Sequence, residues 1–307
     1  MGLASHVDSY IWLNGEFVHW ENAKIHCFTH TLHYGFGVLE GVRTYNTKHG
    51  SAIFRLEDHT DRLFRSAKIL NIPINYSKQE LNLAQKEIIR KNNLSSAYIR
   101  PMVFHGSEHL NLKREGLSSN LLIGAWELNS YFHENAAING VKVGISSFTR
   151  NHPNSIFCKA KANGNYMNSI LAVDEANNNG YDDAIFLDHR GYICEGSAAN
   201  IFIVRNNVLY TPYLISALEG ITRDTIFTLA KEANITVIEK DMSRDEIYTA
   251  DEAFFTGTAI EITPICEVDN KIIGSGQCGN ITRYLRDNYL SCTMGKNKNH
   301  LKWLSVI

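Results

Sequence analysis

Apolar and polar positions alternate in short runs at the start of the chain. Tyr10–Leu13 and Glu16–His19 flank Asn14-Gly15, a dipeptide suited to a type I′ turn, and predict a β-hairpin. A second strand pair is predicted at Val42–Tyr45 and Ala52–Phe54, around Asn46–Gly50. Leu56–Leu70 then takes a helical period, which Pro73 ends. Ser77-Lys78-Gln79-Glu80 spells a capping box, opening a helix with Leu81, Ala84 and Ile88 on one face. Ala97–Phe104 and Asn120–Trp126 read as buried strands, separated by the polar loop His105–Ser119.

The pattern lapses over Ser130–Ala137, a candidate linker. Beyond it come a strand Val141–Ser147, a helix near Asn165–Asn178 and a strand Asp183–Leu187. A hairpin follows, from Tyr192–Cys194 to Asn200–Arg205. Next are a helix from about Thr222, a strand Thr236–Lys240, a helix opened by Ser243 and Glu246, a strand Ala253–Thr256, and a final helix near Asn280–Leu290. Hairpins dominate the first half while strands and helices mix throughout, which excludes a simple doubly wound parallel sheet. The expectation is an α/β chain of α+β character with two domains: a smaller one over 1–129, a linker over 130–137, and a larger one over 138–307.

Composition narrows the class. Hydrophobic residues at 44% fill a large core, and 30 basic against 32 acidic residues leave a formal charge of -2. That balance argues against a nucleic-acid binder and offers no polybasic patch to a membrane. The start has no signal-peptide run, and no stretch approaches the ~20 apolar residues of a membrane-spanning helix. The six cysteines lie far apart without a C-x-x-C pair, which reads as reduced thiols. A cytoplasmic protein is expected.

Two patterns mislead. Gly274-Ser275-Gly276-Gln277-Cys278-Gly279 matches a dinucleotide fingerprint, but the downstream Met294–His300 carries no acid for a ribose. Its glycines are read as a tight turn. His105 and His109 match an inverted zinc-protease pattern that needs a helical turn, whereas here the sequence is a loop. His30 and His33 make too small a ligand set. No metal is expected.

Chemistry gathers further on. Lys159 and Lys161 lie in an otherwise uncharged stretch, Asn154–Tyr166, that ends against a helix start. A desolvated lysine can lose its charge, and a neutral amine is what Schiff-base chemistry needs. The segment alone fits two surface lysines on a loop equally well, and positions i and i+2 face the same way on a strand. Glu195, beside the small residues Gly196–Ala199, has the chemistry to pair with a pyridinium nitrogen. Gly220-Ile221-Thr222-Arg223-Asp224 opens a helix whose free amides suit a phosphate. Gly257-Thr258-Ala259 closes a strand and offers a hydroxyl and amides. Each signal is ordinary alone; the ordered set is not.

With these segments the chain resembles the branched-chain amino-acid aminotransferases, within the class IV (fold type IV) pyridoxal-phosphate enzymes. The resemblance runs from Tyr10-Ile11-Trp12-Leu13-Asn14-Gly15 to the final helix. It is carried by His30–Arg43, Ala97-Tyr98-Ile99-Arg100-Pro101, Lys161–Tyr166, Glu195–Phe202, Gly220–Asp224 and Gly257–Ile262. The first two segments favour the branched-chain subgroup over its fold relatives, the D-amino-acid aminotransferases and aminodeoxychorismate lyases. A catalytically dead relative is disfavoured by intact Lys161 and Glu195.

The resemblance implies a two-domain fold with pyridoxal 5'-phosphate between the domains. Lys161, five residues before Tyr166, forms the internal Schiff base and shuttles the α-proton, and Lys159 does not fit that spacing. Glu195 meets the pyridine nitrogen and Tyr166 the ring's phenolic oxygen. Arg62, Ile221, Thr222 and Thr258 hold the phosphate. The implied substrate pocket comprises Tyr34, Leu39, Gly41, Tyr98, Arg100, Leu128, Tyr131, Thr258 and Ala259, with Leu112 reaching in from a partner subunit. The implied reaction is ping-pong transamination between leucine, isoleucine or valine and 2-oxoglutarate, with Arg100 recognising the acidic side chain. Its partners are small molecules, and the assembly is at least a homodimer, with a hexamer also open. Three positions depart from the pattern. Leu39 stands where Phe is common, Leu128 at an aromatic position, and Phe157 in place of a proline. The first two bear on preference among aliphatic side chains and leave transamination intact.

Overall fold

The structure is a computed structural model that describes residues 9–128, 131–133 and 135–307. Its contacts divide the chain into two units. The first comprises Met1–Asn129, Ala160–Gly164 and Cys292–Ile307; the second comprises Ser130–Lys159 and Asn165–Ser291.

In the first unit, strands β1 (Tyr10–Leu13) and β2 (Glu16–His19) form the expected hairpin, with Asn14 and Gly15 both at positive φ. β3 (Gly37–Leu39), β4 (Val42–Thr47), β5 (Gly50–Phe54), β6 (Ala97–His105) and β7 (Ser119–Glu127) extend one antiparallel sheet. A C-terminal strand, Leu304–Val306, closes one end by pairing with β5. Helix α1 (His30–Tyr34) precedes β3, while α2 (Leu56–Ile69) and α3 (Lys78–Lys91) supply the apolar cover. Leu56, Leu63, Leu81 and Ile88 are buried with Val42, Ile53, Ile99 and Ile123 of the sheet. The Ser77–Glu80 box closes in both directions: Ser77 N donates to Glu80 Oε2 (2.6 Å) and Glu80 N to Ser77 Oγ (3.2 Å).

The second unit is built on a mixed sheet. Its strands are β8 (Val141–Ile145), β9 (Asp183–Leu187), β10 (Ile193–Gly196), β11 (Asn200–Arg205), β12 (Val208–Thr211), β13 (Val237–Glu239), β14 (Glu252–Gly257), β15 (Glu261–Val268) and β16 (Lys271–Ile272). They run in the order β10-β9-β8-β15-β14-β11-β12-β13, with β16 on β15. The helices are α4 (Ala136–Asn139), α5 (Tyr166–Asn178), α6 (Ile221–Glu232), α7 (Arg244–Tyr248) and α8 (Asn280–Thr293). Val141, Ile185, Ile201, Phe255 and Ile265 form its main core. Among the described residues no helix is long and apolar enough to cross a membrane.

Several expectations change. The hairpin from Tyr192–Cys194 to Asn200–Arg205 does not form, because β10 pairs with β9 while β11 bonds β12 and β14. The true hairpin partner of β11 is β12, which pattern reading passed over. Asn206 and Asn207, at φ 52° and 61°, make the left-handed turn between them. β15 was missed because Pro264 breaks the signal of a central strand, yet it pairs across from Phe254 in the sheet. The boundaries drawn at 129, 137 and 138 assign Lys161 to the larger domain, but its segment groups with the first unit. There Leu39 N donates to Lys161 O (3.0 Å) and Val38 bridges Ala162. Parts of the linker expectation, Ser130 and Glu134, lie outside the described residues, as does Asn129 at the end of the expected smaller domain, and Ala136 already begins α4.

Candidate active site

In the first unit the chemistry is organised by the buried face of α2. His59, Arg62 and Ser66 recur three and four residues apart, so they share one side of the helix. Ser66 Oγ accepts from Lys161 N at 3.0 Å, and Leu39 N donates to Lys161 O at 3.0 Å. Both polar backbone groups of Lys161 are thereby fixed. Arg62 grips Glu40 through Nε to Oε1 (2.6 Å) and Nη2 to Oε2 (2.9 Å), a two-bond fork. Glu40 Oε2 also receives Gly41 N (3.1 Å) and lies 2.8 Å from His59 Nδ1.

Burial alone would push the Glu40 carboxyl up. The Arg62 charge and the His59 and Arg62 hydrogen bonds outweigh it and hold the group well below the ordinary carboxylate range. Burial draws His59 down, with Glu40 opposing, and its Nδ1 lies against the Glu40 carboxylate. Arg62 and Glu40 form an ion pair out of water.

Tyr98, Arg100, Leu39, Gly41 and Leu128 lie in the same unit. A Cβ on Gly41 would stand 1.7 Å from the Tyr98 hydroxyl, so only glycine lets that ring cross there. Leu39 and Leu128 are buried, and Arg100 lies over the rings of Tyr98 (5.5 Å) and Trp126 (5.8 Å). Among the described residues Arg100 Nε is buried without a hydrogen-bond partner, a donor left for an anion. Tyr34 OH donates to Leu110 O (2.9 Å), tying it to the loop of Leu112, and the two side chains are 46% and 81% exposed.

In the second unit Glu195 sits on β10, buried, just past a register shift against β9. Arg150 Nε donates to its Oε1 at 2.8 Å and Leu218 N to its Oε2 at 3.2 Å. Arg150 is itself oriented by Asn168 Oδ1 (3.1 Å), by Ser169 Oγ (3.3 Å) and by stacking over Phe186. Sequence reasoning missed Arg150, which belongs to no motif. Helix α6 begins at Gly220 with no side-chain cap, so the amides of Ile221 and Thr222 keep the anion affinity of a helix start. Asn200 requires the glycine: a Cβ on Gly220 would lie 1.9 Å from its Oδ1. Thr258 and Ala259 occupy the turn between β14 and β15, and Thr256 Oγ1 just before them is buried without a partner among the described residues. Tyr166 is the half-buried first residue of α5, and Tyr131 is 53% exposed.

The histidines of the misleading patterns serve backbone groups: His30 bonds Asn111 O, His33 Cys27 O, His105 Ser118 O and His109 Glu115 O. Gly274 and Gly276, at φ 55° and 74°, make the expected turn.

The second unit thus carries a buried acid held by an arginine and an amide, and a helix start with no side-chain cap; the first carries a lysine pinned to the helix of a buried arginine. The sequence pattern of the family described as amino-transferase class IV matches residues 37–268. The chain belongs to the class IV aminotransferases. It is 52% identical over 300 residues to a branched-chain-amino-acid aminotransferase of Pseudomonas aeruginosa, covering 98% of each chain. To the enzyme of that description from Escherichia coli K12 it is 44% identical, with 97% of each chain covered. A crystal structure of the Escherichia coli branched-chain amino acid aminotransferase superposes with a TM-score of 0.95, at 44% identity, over 97% of this chain and 99% of that one. A T.th. branched-chain amino acid aminotransferase complexed with N-(5'-phosphopyridoxyl)-L-glutamate gives a TM-score of 0.94 at 40% identity, over 97% and 98% of the two chains.

Proposed function

We propose that this chain transfers amino groups from leucine, isoleucine and valine to 2-oxoglutarate with pyridoxal 5'-phosphate as cofactor. The observation that carries this reading is Lys161, its backbone fixed on both sides by Ser66 and Leu39, with Arg62 of the Ser66 helix held in a fork by Glu40. When bound, the cofactor supplies an aldehyde that captures amines and a ring that accepts electrons as Cα loses its proton. Lys161 would be the amine that holds the cofactor's aldehyde and the base that moves the Cα proton. Glu195 holds a proton on the ring nitrogen, since Arg150 and the Leu218 amide favour its ionised form. Tyr166 bonds the ring's phenolic oxygen. The α6 start, Arg62 and Thr258 hold the phosphate.

Substrate selection divides by chemistry. Leu39, Leu128 and the Tyr98 ring offer apolar contact to a branched side chain, and the small Ala259 is read as a further substrate residue. Arg100, with its Nε unpartnered among the described residues, takes the distal carboxylate of glutamate or 2-oxoglutarate. Because Tyr34 is bonded to the Leu112 loop, the two act together, and on a partner's pocket if that loop does so.

The test is glutamate formation from 2-oxoglutarate by the cofactor-loaded enzyme, with L-leucine, L-isoleucine and L-valine as donors and D-alanine as control. All three branched donors are expected to outpace D-alanine. Preference for D-alanine, or no glutamate from any donor, would overturn the reading.

A further inference from the structure

Two lysines share the segment before α5, and the proposed reaction uses only Lys161. Lys159 is engaged elsewhere. Its Nζ donates to Leu214 O, lies 3.5 Å from Ala217 O, and stands 3.8 Å from the Glu219 carboxylate. Burial draws the ammonium below its ordinary value, while Glu219 and Glu195 pull it back up, so it is partly dehydrated and within the field of Glu195.

Both carbonyls belong to the 212–220 connection between β12 and α6. That connection reaches the site twice. Leu218 N donates to Glu195 Oε2 (3.2 Å), and Gly220 caps the helix start read here as a phosphate site. Asn200 Nδ2 holds Leu218 O at 3.0 Å, while upstream of Leu218 it is Lys159 that tethers the backbone at 214 and 217. Ser216 and Ala217 are fully buried, so this stretch is packed as well as strapped.

We propose that Lys159 is a positioning residue: it straps the 212–220 connection so that the Leu218 amide stays on the Glu195 carboxylate. The proposal rests on reading Glu195 as the partner of the ring nitrogen. An amide donor favours an ionised carboxylate, and so does a nearby ammonium. Loss of the strap and loss of the charge therefore push the protonation of Glu195 in the same direction, toward higher pH.

The experiment compares cofactor-loaded wild type, Lys159→Met, Lys159→Gln and Lys159→Arg. The readouts are visible circular dichroism and ring-nitrogen 15N NMR titrated with pH, alongside the pH profile of kcat. Lys159→Met is expected to move the acid-side midpoint up by about one pH unit in all three, with melting temperature little changed. Lys159→Gln keeps donors without charge and gives a smaller shift; Lys159→Arg restores the wild-type midpoint. A folded, loaded Lys159→Met enzyme with an unmoved midpoint would overturn the proposal, as would an arginine variant displaced as far as the methionine one. If Lys159→Met does not fold, Lys159→Gln carries the comparison. A wild-type chain that takes up no pyridoxal phosphate sinks the proposed function itself, a result read without any variant.

Discussion

Replacing Glu40 with glutamine keeps the shape of the buried trio and removes its anion. In the wild type Glu40 meets Arg62 at 2.6 and 2.9 Å and His59 at 2.8 Å, with the three residues 0%, 4% and 1% exposed. The Arg62 guanidinium would then stay buried without its counter-charge. Breaking one side of a buried pair costs about 3–5 kcal/mol, and the glutamine oxygen, still able to accept one bond, places the loss near about 3 kcal/mol. That is a large part of the ~5–15 kcal/mol that holds a domain folded. The assay is urea unfolding of the cofactor-free chain at pH 7.5, for Glu40→Gln, Arg62→Met and the double variant. The double variant should be less destabilised than the sum of the singles, since neutral residues at both positions strand no charge. A Glu40→Gln loss under ~0.5 kcal/mol, or additive singles, would refute the reasoning.

The same groups set a pH response. His59 is depressed by burial, so below its ordinary value the unfolded chain binds a proton the folded one refuses, and stability falls as pH drops from about 6.5. Glu40, also depressed, adds a loss only at much lower pH. His59→Gln should flatten the slope between about pH 5 and 7, which urea melts across that range would check. Asp183 behaves in the opposite sense: burial pushes it up to about 6 against the Ser197 and Ala184 hydrogen bonds. Its neutral form stabilises the fold below the ordinary carboxylate value, and this contribution is lost as pH rises through about 6; Asp183→Asn should remove that loss in the same melts. Gly220→Ala drives a Cβ to 1.9 Å from Asn200 Oδ1 and should weaken cofactor retention, measured by dialysis and absorbance, by about tenfold or more. Ile88→Ala, in the core of the first unit, should cost about 2–5 kcal/mol in urea unfolding without changing the donor preference.

Much of this was legible from local chemistry. The Asn14-Gly15 hairpin, the two capping boxes at Ser77 and Ser243, and the α2 and α5 helices all follow from signals a few residues long. Sheet order was not legible, because strand pairing joins segments far apart. β15 bonds β8 from more than a hundred residues away, and the C-terminal strand completes the sheet of the first unit. The division of the site followed the same rule. Lys161 announced itself by its motif, yet its membership of the first unit depends on Ser66, ninety-five positions earlier, and on the β3 edge. Arg150 carried no sequence signal because its meaning lies in what it touches: Glu195, Asn168, Ser169 and Phe186. What Lys159 touches, the 212–220 connection, was likewise out of view in the sequence.

The covalent attachment of pyridoxal phosphate can be read directly. Treating the cofactor-loaded enzyme with borohydride, then digesting it and mapping the modified peptide by mass spectrometry, should find the reduced adduct on Lys161 and no adduct in Lys161→Ala. An adduct on Lys159 or any other side chain, or none in the loaded wild type, would contradict it.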